Sequence, residues 1–436
     1  MRAKTLGTAR LVGLLSSVLV ALSLVLGPTP ADAAGRGSHD PAAPGSLTGY
    51  GFDTCSAPAQ SVMDAWWQES RYSAVGIYIG GSNRLCDQPE LTASWVRTQH
   101  KRGWHLLPAY VGPQASCSGY PDKMSSDRTT AEQQGRAQAD AAVAAAQGLG
   151  IGKGSTLYYD LEDYDIAPDD CRQAAQAFVS GWAKQLDDRG YDSGVYSNIA
   201  AAITSLDYAN LKAPGVYTMP DDIWFAWANG QANTVTDTRV QTDAWNNHAR
   251  VHQYAVDEVE SYGGYPLTID RNWLDVGRGS VAAPAKQLCR GITVDLGRYP
   301  ALAGGARGPA VSAAQCLLRR QGFIKRSPTG RYDKPTATAV EKAQRKLDLR
   351  STGRLDRRTW TALLARGSEP VLKVGSTGDA VRRLERALTA ALGKRTEVDG
   401  VFTKKTEKAV KRYQRKTGLP ATGVVTAAVW EGLAGA

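Results

Sequence analysis

The apolar positions in the central part of the chain form short β-rich segments that alternate with helical stretches. The segments predicted as strands are residues 51–53, 75–79, 105–110, 156–162, 194–196, 223–227, 251–254 and 267–270. The first five are separated by stretches with helical spacing, which are residues 59–69, 89–101, 130–148 and 170–190. This alternation predicts an α/β fold, a (β/α)8 barrel of the TIM type, over residues 48–277.

The C-terminal third has a different pattern, because it repeats itself without a gap at a period of 70 residues. Glycine, apolar and glutamine positions recur in both copies, and Trp360 of the first copy returns as Trp430 of the second. Each copy contains three short helical patterns. The sequence therefore predicts two small all-α modules of three helices, at residues 288–367 and 368–436. The segments rich in Pro, Gly, Ala and Ser, predicted to be linkers, are residues 34–47 and 278–287.

The N-terminus has the pattern of a secretory signal peptide. Basic residues precede an apolar run at residues 11–26, and the small-residue sequence Ala31-Asp32-Ala33 follows it. An uncleaved membrane anchor is the alternative, but the run is short for a bilayer span of about 20 residues. We therefore predict that residues 1–33 are removed, and that the mature protein is secreted and does not enter a membrane.

Charge divides the 436-residue chain, whose formal net charge is +10. From Cys289 onward there are 30 Lys and Arg against 12 Asp and Glu, so the part before it is acidic. A basic tail is compatible with nucleic acid, but stacking aromatic residues are sparse there. For an exported protein, a polyanionic cell wall fits better, and we expect no nucleic-acid partner.

All six cysteines follow the predicted signal peptide, which favours disulfides in an oxidising compartment. Many pairings are open to six cysteines, and their order suggests Cys55 with Cys86, Cys117 with Cys171, and Cys289 with Cys316. No CxxC pair or histidine cluster accompanies them, and no phosphate-binding glycine loop is present. We expect neither a metal nor a cofactor.

Polar residues stand at the ends of the predicted strands, where a barrel of this type forms its active site. They are Asp53, Tyr110, Asp160, Glu162, Tyr196, Asn198, Trp227, Gln253, Tyr254, Asp270 and Asn272. A mixture of acidic, amide and aromatic groups is typical of a sugar site.

Asp160 and Glu162 are the sharpest feature of this set. Residues two apart on a strand face the same way, so both carboxyls are predicted to point into the barrel. One buried carboxyl can stay protonated and donate to a leaving oxygen, while another stabilises or attacks the cationic sugar. The alternative is that these acids begin a loop or cap the next helix.

The repeated modules resemble the peptidoglycan-binding domain family. The second copy has the family's Asp-Gly-x-Phe pattern at residues 399–402, while the first has Thr329 in place of the aspartate. The resemblance implies binding to wall glycan or stem peptide, although the matching residues mainly shape the fold.

The barrel is similar to the lysozyme-like family 25 glycoside hydrolases, through Gly51-Phe52-Asp53, Asp160-Leu161-Glu162, Gln253-Tyr254 and Ile269-Asp270-Arg271-Asn272. It more closely resembles the secreted glycoside-hydrolase-like barrels of domain-of-unknown-function family 1906. The resemblance implies that Asp53, Asp160, Glu162 and Asp270 line a groove for an N-acetylated glycan, with Glu162 as general acid. Their positions near strand ends, not the resemblance, make seven further residues candidates for binding the glycan: Tyr110, Tyr196, Asn198, Trp227, Gln253, Tyr254 and Asn272. For the aromatic ones core packing is the alternative, and Gln253 could equally just close a strand end.

Two functional hypotheses follow. The first is a secreted, muramidase-like hydrolase of peptidoglycan or a related cell-wall polymer, anchored by the two modules. The second is a non-catalytic wall-binding protein whose barrel has lost turnover, since a fold does not imply activity. A peptidase or amidase is disfavoured because no nucleophile or metal constellation is visible.

Overall fold

The computed structural model describes residues 42–435. The predicted signal peptide, residues 1–33, lies outside this range, as does most of the first predicted linker. Within the described range every helix is too short or too polar to cross a bilayer.

Eight strands close into one barrel in sequence order, which confirms the predicted fold class. They are β1 (Leu47–Asp53), β2 (Ala74–Gly80), β3 (His105–Tyr110), β4 (Thr156–Asp160), β5 (Asp192–Asn198), β6 (Asp222–Ala226), β7 (Ala249–Tyr262) and β8 (Tyr265–Val276). The helices that follow β1 to β4 are α1 (Gln60–Glu69), α2 (Ala93–Arg102), α3 (Arg128–Gly148) and α4 (Asp169–Arg189). After β5 a π-helical turn (Ile199–Ile203) leads into α5 (Thr204–Lys212).

The last quarter of the barrel departs from a regular eightfold repeat. β1 to β7 are parallel to their neighbours, but β8 is antiparallel to both β7 and β1. A loop, residues 227–248, replaces the helix between β6 and β7, and β7 continues into β8 as a hairpin.

Alternate strand residues point into the barrel, as the pleat requires, and form two layers of different character. The layer at the amino-terminal ends of β1 to β7 is apolar and includes Leu47, Ala74, Leu107, Tyr158, Val251 and Leu274. The layer at the carboxyl ends is polar and contains the acids discussed below. Gly76 makes this change possible, because a Cβ there would lie 2.6 Å from the Asp53 side chain and 3.0 Å from Trp224.

The other strand face packs against the helices through large aromatic side chains. Phe52 contacts Trp66 at a ring-centroid distance of 4.9 Å, and Tyr159 contacts Trp182 at 5.0 Å. All four are buried. Burying such side chains is the main favourable contribution to folding.

Each C-terminal repeat forms three helices, as predicted. The helices are α6 (Pro309–Arg320), α7 (Lys334–Lys346), α8 (Arg357–Ala365), α9 (Asp379–Leu392), α10 (Lys404–Thr417) and α11 (Ala427–Ala434). Trp360 is buried in the first repeat and donates its indole N–H to the Pro300 carbonyl at 2.7 Å. Trp430 makes the equivalent bond to Pro370 at 2.9 Å in the second. The period of 70 residues is therefore a structural repeat.

The second repeat packs against the amino-terminal end of the barrel, a contact that we call the dock. Lys373 is 1% exposed and donates from Nζ to the carbonyls of Trp67, at 2.6 Å, and Tyr72, at 3.1 Å. The Ser73 hydroxyl donates to the Val374 carbonyl at 3.2 Å. Gly375 has φ +100°, and a Cβ there would lie 2.5 Å from a Leu47 methyl. The dock thus depends on a glycine and on a lysine without an acidic partner among the described residues.

The three disulfides have the pairing that sequence order suggested. They join Cys55 to Cys86, Cys117 to Cys171, and Cys289 to Cys316. The first two tie together loops at the carboxyl ends of the strands, while the third lies in the first repeat. They stabilise mainly by restricting the unfolded chain.

Candidate active site

A cavity of about 340 Å³ opens at the carboxyl ends of β1 to β7. It is lined by all four acids that the sequence singled out, Asp53, Asp160, Glu162 and Asp270. Side chains separated by up to 217 positions therefore meet at one opening.

Asp53 and Asp270 face each other across the pairing of β1 with β8. Asp53 ends a parallel strand, as expected. Asp270 lies within β8 and reaches this end only because β8 is reversed. Gln253 joins the two carboxyls, since its Nε2 donates to Asp53 at 3.3 Å and to Asp270 Oδ2 at 3.1 Å.

A hydrogen-bond network holds Asp53 from the remaining sides. Asn272 donates to Asp53 Oδ1, and its own Oδ1 accepts from the Trp224 indole at 2.8 Å. Tyr78 donates to Asp53 Oδ2 at 3.3 Å. Tyr196 donates to Gln253 Oε1 at 3.0 Å, which orients the Gln253 amide for Asp53. The network fixes the carboxyl in the cavity floor.

These surroundings keep a proton in the pair near neutral pH. Burial raises the pKa of Asp53 to about 7, and the charge of Asp270 adds to the rise, against the lowering effect of the hydrogen bonds from Asn272, Gln253 and Tyr78. Burial also raises the pKa of Asp270. Asp270 is only half-buried and accepts the Asp257 N–H at 2.8 Å, a hydrogen bond that opposes the rise in its pKa.

Asp160 and Glu162 have different positions, although the sequence predicted both on one strand. β4 ends at Asp160, which is buried, and Glu162 lies two residues beyond it in a loop, half-buried at the cavity wall. Gln114 connects the two: its Nε2 donates to the Asp160 carbonyl at 2.8 Å, and its Oε1 accepts the Glu162 N–H at 2.8 Å. A side-chain amide thus replaces the strand as the element that orients Glu162.

The surroundings raise the pKa of both carboxyls. Burial, followed by the charges of Glu162 and Asp53, raises the pKa of Asp160 well above its ordinary value. Burial and the charge of Asp163 raise the pKa of Glu162. Asp160 Oδ1 is buried and has no hydrogen-bond partner in the described part of the chain. A polar atom of a ligand in the cavity can therefore bond to it.

Two disulfide-tied loops form the rim of the cavity and were not predicted as site elements. The loop closed by Cys86 presents Arg84 and Leu85, and Leu85 is 90% exposed. The loop containing Cys117 presents Tyr120, whose pKa is raised by burial and by the charges of Glu162 and Asp160.

The sequence analysis missed the supporting residues Tyr78 and Gln114, and only Tyr78 had a recognisable sequence signal. Tyr78 had a signal, because it shares the inward face of β2 with Gly76. Gln114 had none, since it lies in an irregular loop.

The other predicted site residues divide into two groups. Tyr196, Gln253 and Asn272 support the acids from within the barrel. Four lie elsewhere and do not line the cavity, namely Tyr110, Asn198, Trp227 and Tyr254. Tyr110 lies among the outer aromatic residues, 6.2 Å from Trp182 between ring centroids. Asn198 accepts the Ala200 N–H, the Trp227 ring contacts Arg239, and Tyr254 is buried.

Comparison with known families identifies the regions described above. Residues 64–274 match the model of the Rv2525c-like, glycoside hydrolase-like domain. Residues 307–363 and 377–433 each match the putative peptidoglycan binding domain. No curated protein matched the chain.

Several solved structures resemble the barrel in fold. An uncharacterized protein of B. stearothermophilus is 20% identical, with 52% of this chain and 95% of that chain covered and a TM-score of 0.36. A family 25 glycosyl hydrolase from Bacillus anthracis is 14% identical, with coverages of 55% and 93% and a TM-score of 0.32. The modular autolysin LytC from Streptococcus pneumoniae is 14% identical, with coverages of 52% and 46% and a TM-score of 0.31.

Proposed function

Because the chain carries an Rv2525c-like, glycoside hydrolase-like domain followed by two putative peptidoglycan binding domains, we propose that it is a secreted hydrolase of cell-wall glycan. The substrate is peptidoglycan or a related N-acetylated polymer. The observation that carries the proposal is the convergence of four carboxyls with raised pKa values on one open cavity.

Glu162 is the general acid of this proposal. Its carboxyl lies at the cavity wall, and burial raises its pKa, which favours the protonated form that a general acid needs. The proton passes to the glycosidic oxygen as the bond from that oxygen to the anomeric carbon breaks. A water molecule then adds to the anomeric carbon and gives up a proton, which restores the protonated acid. The contact with Gln114 fixes the backbone from which Glu162 extends.

The other three carboxyls supply the negative charge and the hydrogen bonds that the reaction needs. Asp270, the more exposed of the pair with Asp53, faces the positive charge that develops on the sugar ring. Asp53 moderates the negative charge of Asp270, because the two carboxyls share the amide donor of Gln253. Asp160, with its unpartnered Oδ1, holds a polar group of the substrate, such as an acetamido group.

The remaining parts of the chain serve export and attachment. Three disulfides suit an oxidising compartment, in agreement with a secretion signal at residues 1–33. In the proposed organisation the barrel spans residues 48–277, and the modules at 288–367 and 368–436 hold it at the wall. Attachment raises the local concentration of substrate without changing the chemistry.

The test is incubation of the protein with purified cell walls, followed by mass analysis of the soluble fragments and measurement of new reducing ends. We expect glycan fragments with new reducing ends. Binding to walls without any soluble glycan would instead favour a non-catalytic wall-binding protein.

A further inference from the structure

A second and larger concavity lies away from the candidate active site, between the barrel and the second repeat. Its volume is about 1040 Å³, and it is lined mainly by α10 and the segment before it, with Thr48, Trp273 and Ser280 from the barrel side. We propose that this groove binds a linear polyanion. The inference deepens the wall attachment of the proposed function by naming the chemistry of an attached polymer.

The cations of the groove form a row along one helix. Lys405, Lys408 and Arg412 are spaced by three and four residues, so they share one face of α10. All three are exposed. Lys394 and Arg395 extend the row beyond the helix. None of the five takes part in a salt bridge in the part of the chain that the structure describes.

The floor of the groove offers little competing charge. Glu385 is buried there, and burial raises its pKa to about 8, so it is neutral at physiological pH. Lys404 is occupied by other contacts with the barrel, because its Nζ lies 3.7 Å from the centre of the Trp273 ring and bonds to the Ala232 carbonyl. The acids that remain are the exposed Glu397 and Asp399, which leaves an excess of cations.

Three of the five cations are particular to the second repeat, whereas Lys325 and Lys342 of the first repeat correspond to Arg395 and Arg412. At the positions 70 residues earlier, the first repeat has Ile324, Pro335 and Thr338 instead of Lys394, Lys405 and Lys408. The repeat fold does not require these cations, because the first repeat forms the same three helices without them. They are therefore available for binding.

The spacing of the row favours a polymer over a small anion. Seven residues of helix separate Lys405 from Arg412, which corresponds to about 10 Å along the axis. One small anion cannot contact both ends of such a row, whereas a chain with repeated phosphate or carboxylate groups can. A neutral glycan forms no ionic interaction with this row of cations.

The experiment measures binding to the full chain by calorimetry, with short-chain inorganic polyphosphate, poly-glutamate and a neutral chitin oligosaccharide as probes. The test variant is the triple substitution Lys405→Gln, Lys408→Gln and Arg412→Gln. The control carries the same change of charge on exposed residues of the first repeat that form no salt bridge, Lys346→Gln, Arg350→Gln and Arg354→Gln. Thermal melts verify that both variants fold.

We expect polyphosphate binding that weakens with salt and falls about tenfold in the test variant, because three exposed ion pairs are lost. The control should change the affinity by less than about twofold. Equal affinities for poly-glutamate and polyphosphate would show that the groove recognises any linear polyanion by its charge. A higher affinity for polyphosphate would indicate a phosphate-bearing polymer.

Equal losses in the test and control variants would overturn the proposal, as would wild-type affinity in the test variant. A loss confined to the chitin probe would also overturn it. Glu162→Gln should bind polyphosphate normally, so a failed hydrolysis assay and a failed polyanion assay are separate results.

Discussion

The carboxyl ends of the strands carry four acids around an open cavity, whereas the opposite end of the barrel is covered by the second repeat. Both regions contain a buried titratable side chain with a shifted pKa. At the open end burial raises the pKa of Asp160, and at the dock burial lowers that of Lys373 well below its ordinary value. The surroundings differ, because Asp160 Oδ1 lacks a partner while Lys373 donates to two carbonyls.

A shifted pKa alone therefore does not identify a catalytic or ligand-binding residue. A buried polar atom that is left without a partner and lines a cavity indicates a ligand. A buried polar atom whose bonds are all made within the protein indicates a structural contact. The predictions below test this division between the two ends.

The largest effect is expected for Glu162→Gln, which removes the transferable proton while keeping the shape of the side chain. Release of reducing ends from purified walls should fall about 10²- to 10⁴-fold. The melting temperature should stay close to that of the wild type, since Glu162 is only half-buried. Glu90→Gln, at an exposed acid outside the cavity, is the control and should keep full activity. Undiminished hydrolysis by the Glu162 variant would remove that residue from the mechanism.

At the opposite end, Lys373→Met should lower the free energy of unfolding by about 3 kcal/mol, because it removes the donor to two buried carbonyls. Denaturant unfolding measures the change. Lys394→Met, at an exposed lysine of the same repeat, should cost less than about 0.5 kcal/mol. The hydrolysis rate of the folded Lys373 variant should be unchanged. A large loss of rate without a loss of stability would contradict a purely structural dock.

Gln114→Leu tests how the open end is held. The substitution removes the amide between Asp160 and Glu162, and we expect about 10- to 100-fold slower hydrolysis, since small displacements of an acid are costly. The pH profile should also shift, because the environment of Glu162 changes. Polyphosphate affinity should be unaffected. A profile of unchanged shape and height would exclude a positioning role for Gln114.

The smallest effect is expected for Glu385→Gln, and it depends on pH. The pKa of Glu385 is raised from 4.5 to about 8 in the folded state. The folded protein therefore keeps a proton that the unfolded chain releases, and stability falls as pH rises from about 4.5 to 8. The variant should be more stable than the wild type at pH 8 and equal to it at pH 4, because glutamine does not titrate. Gln315 already occupies the equivalent position in the first repeat, and melting curves at the two pH values give the comparison.

The sequence was most informative where a pattern depends on local chain geometry. Strand alternation and helical spacing predicted the barrel and both repeats, and β3 was predicted to the residue. Asp53 and Asp160 were expected at strand ends, and they end β1 and β4.

It was least informative where a contact depends on distant parts of the chain. Glu162 was predicted on β4, but the strand stops at Asp160 because Gln114 binds the backbone beyond it. Tyr110 was expected in the sugar site, but its strand turns it toward Trp182. Neither Gln114 nor the direction of β8 is encoded in a local pattern.

The reversed direction of β8 also decides where the chain leaves the barrel. Val276, its last residue, pairs with Leu47 at the covered end. A parallel strand would finish beside the cavity, and a further helix would be needed to bring the chain back. Because β8 is reversed, the strand itself brings the chain back to the opposite end of the barrel. The chain therefore leaves the barrel at the end opposite the cavity, where the second repeat contacts Tyr72 and Ser73.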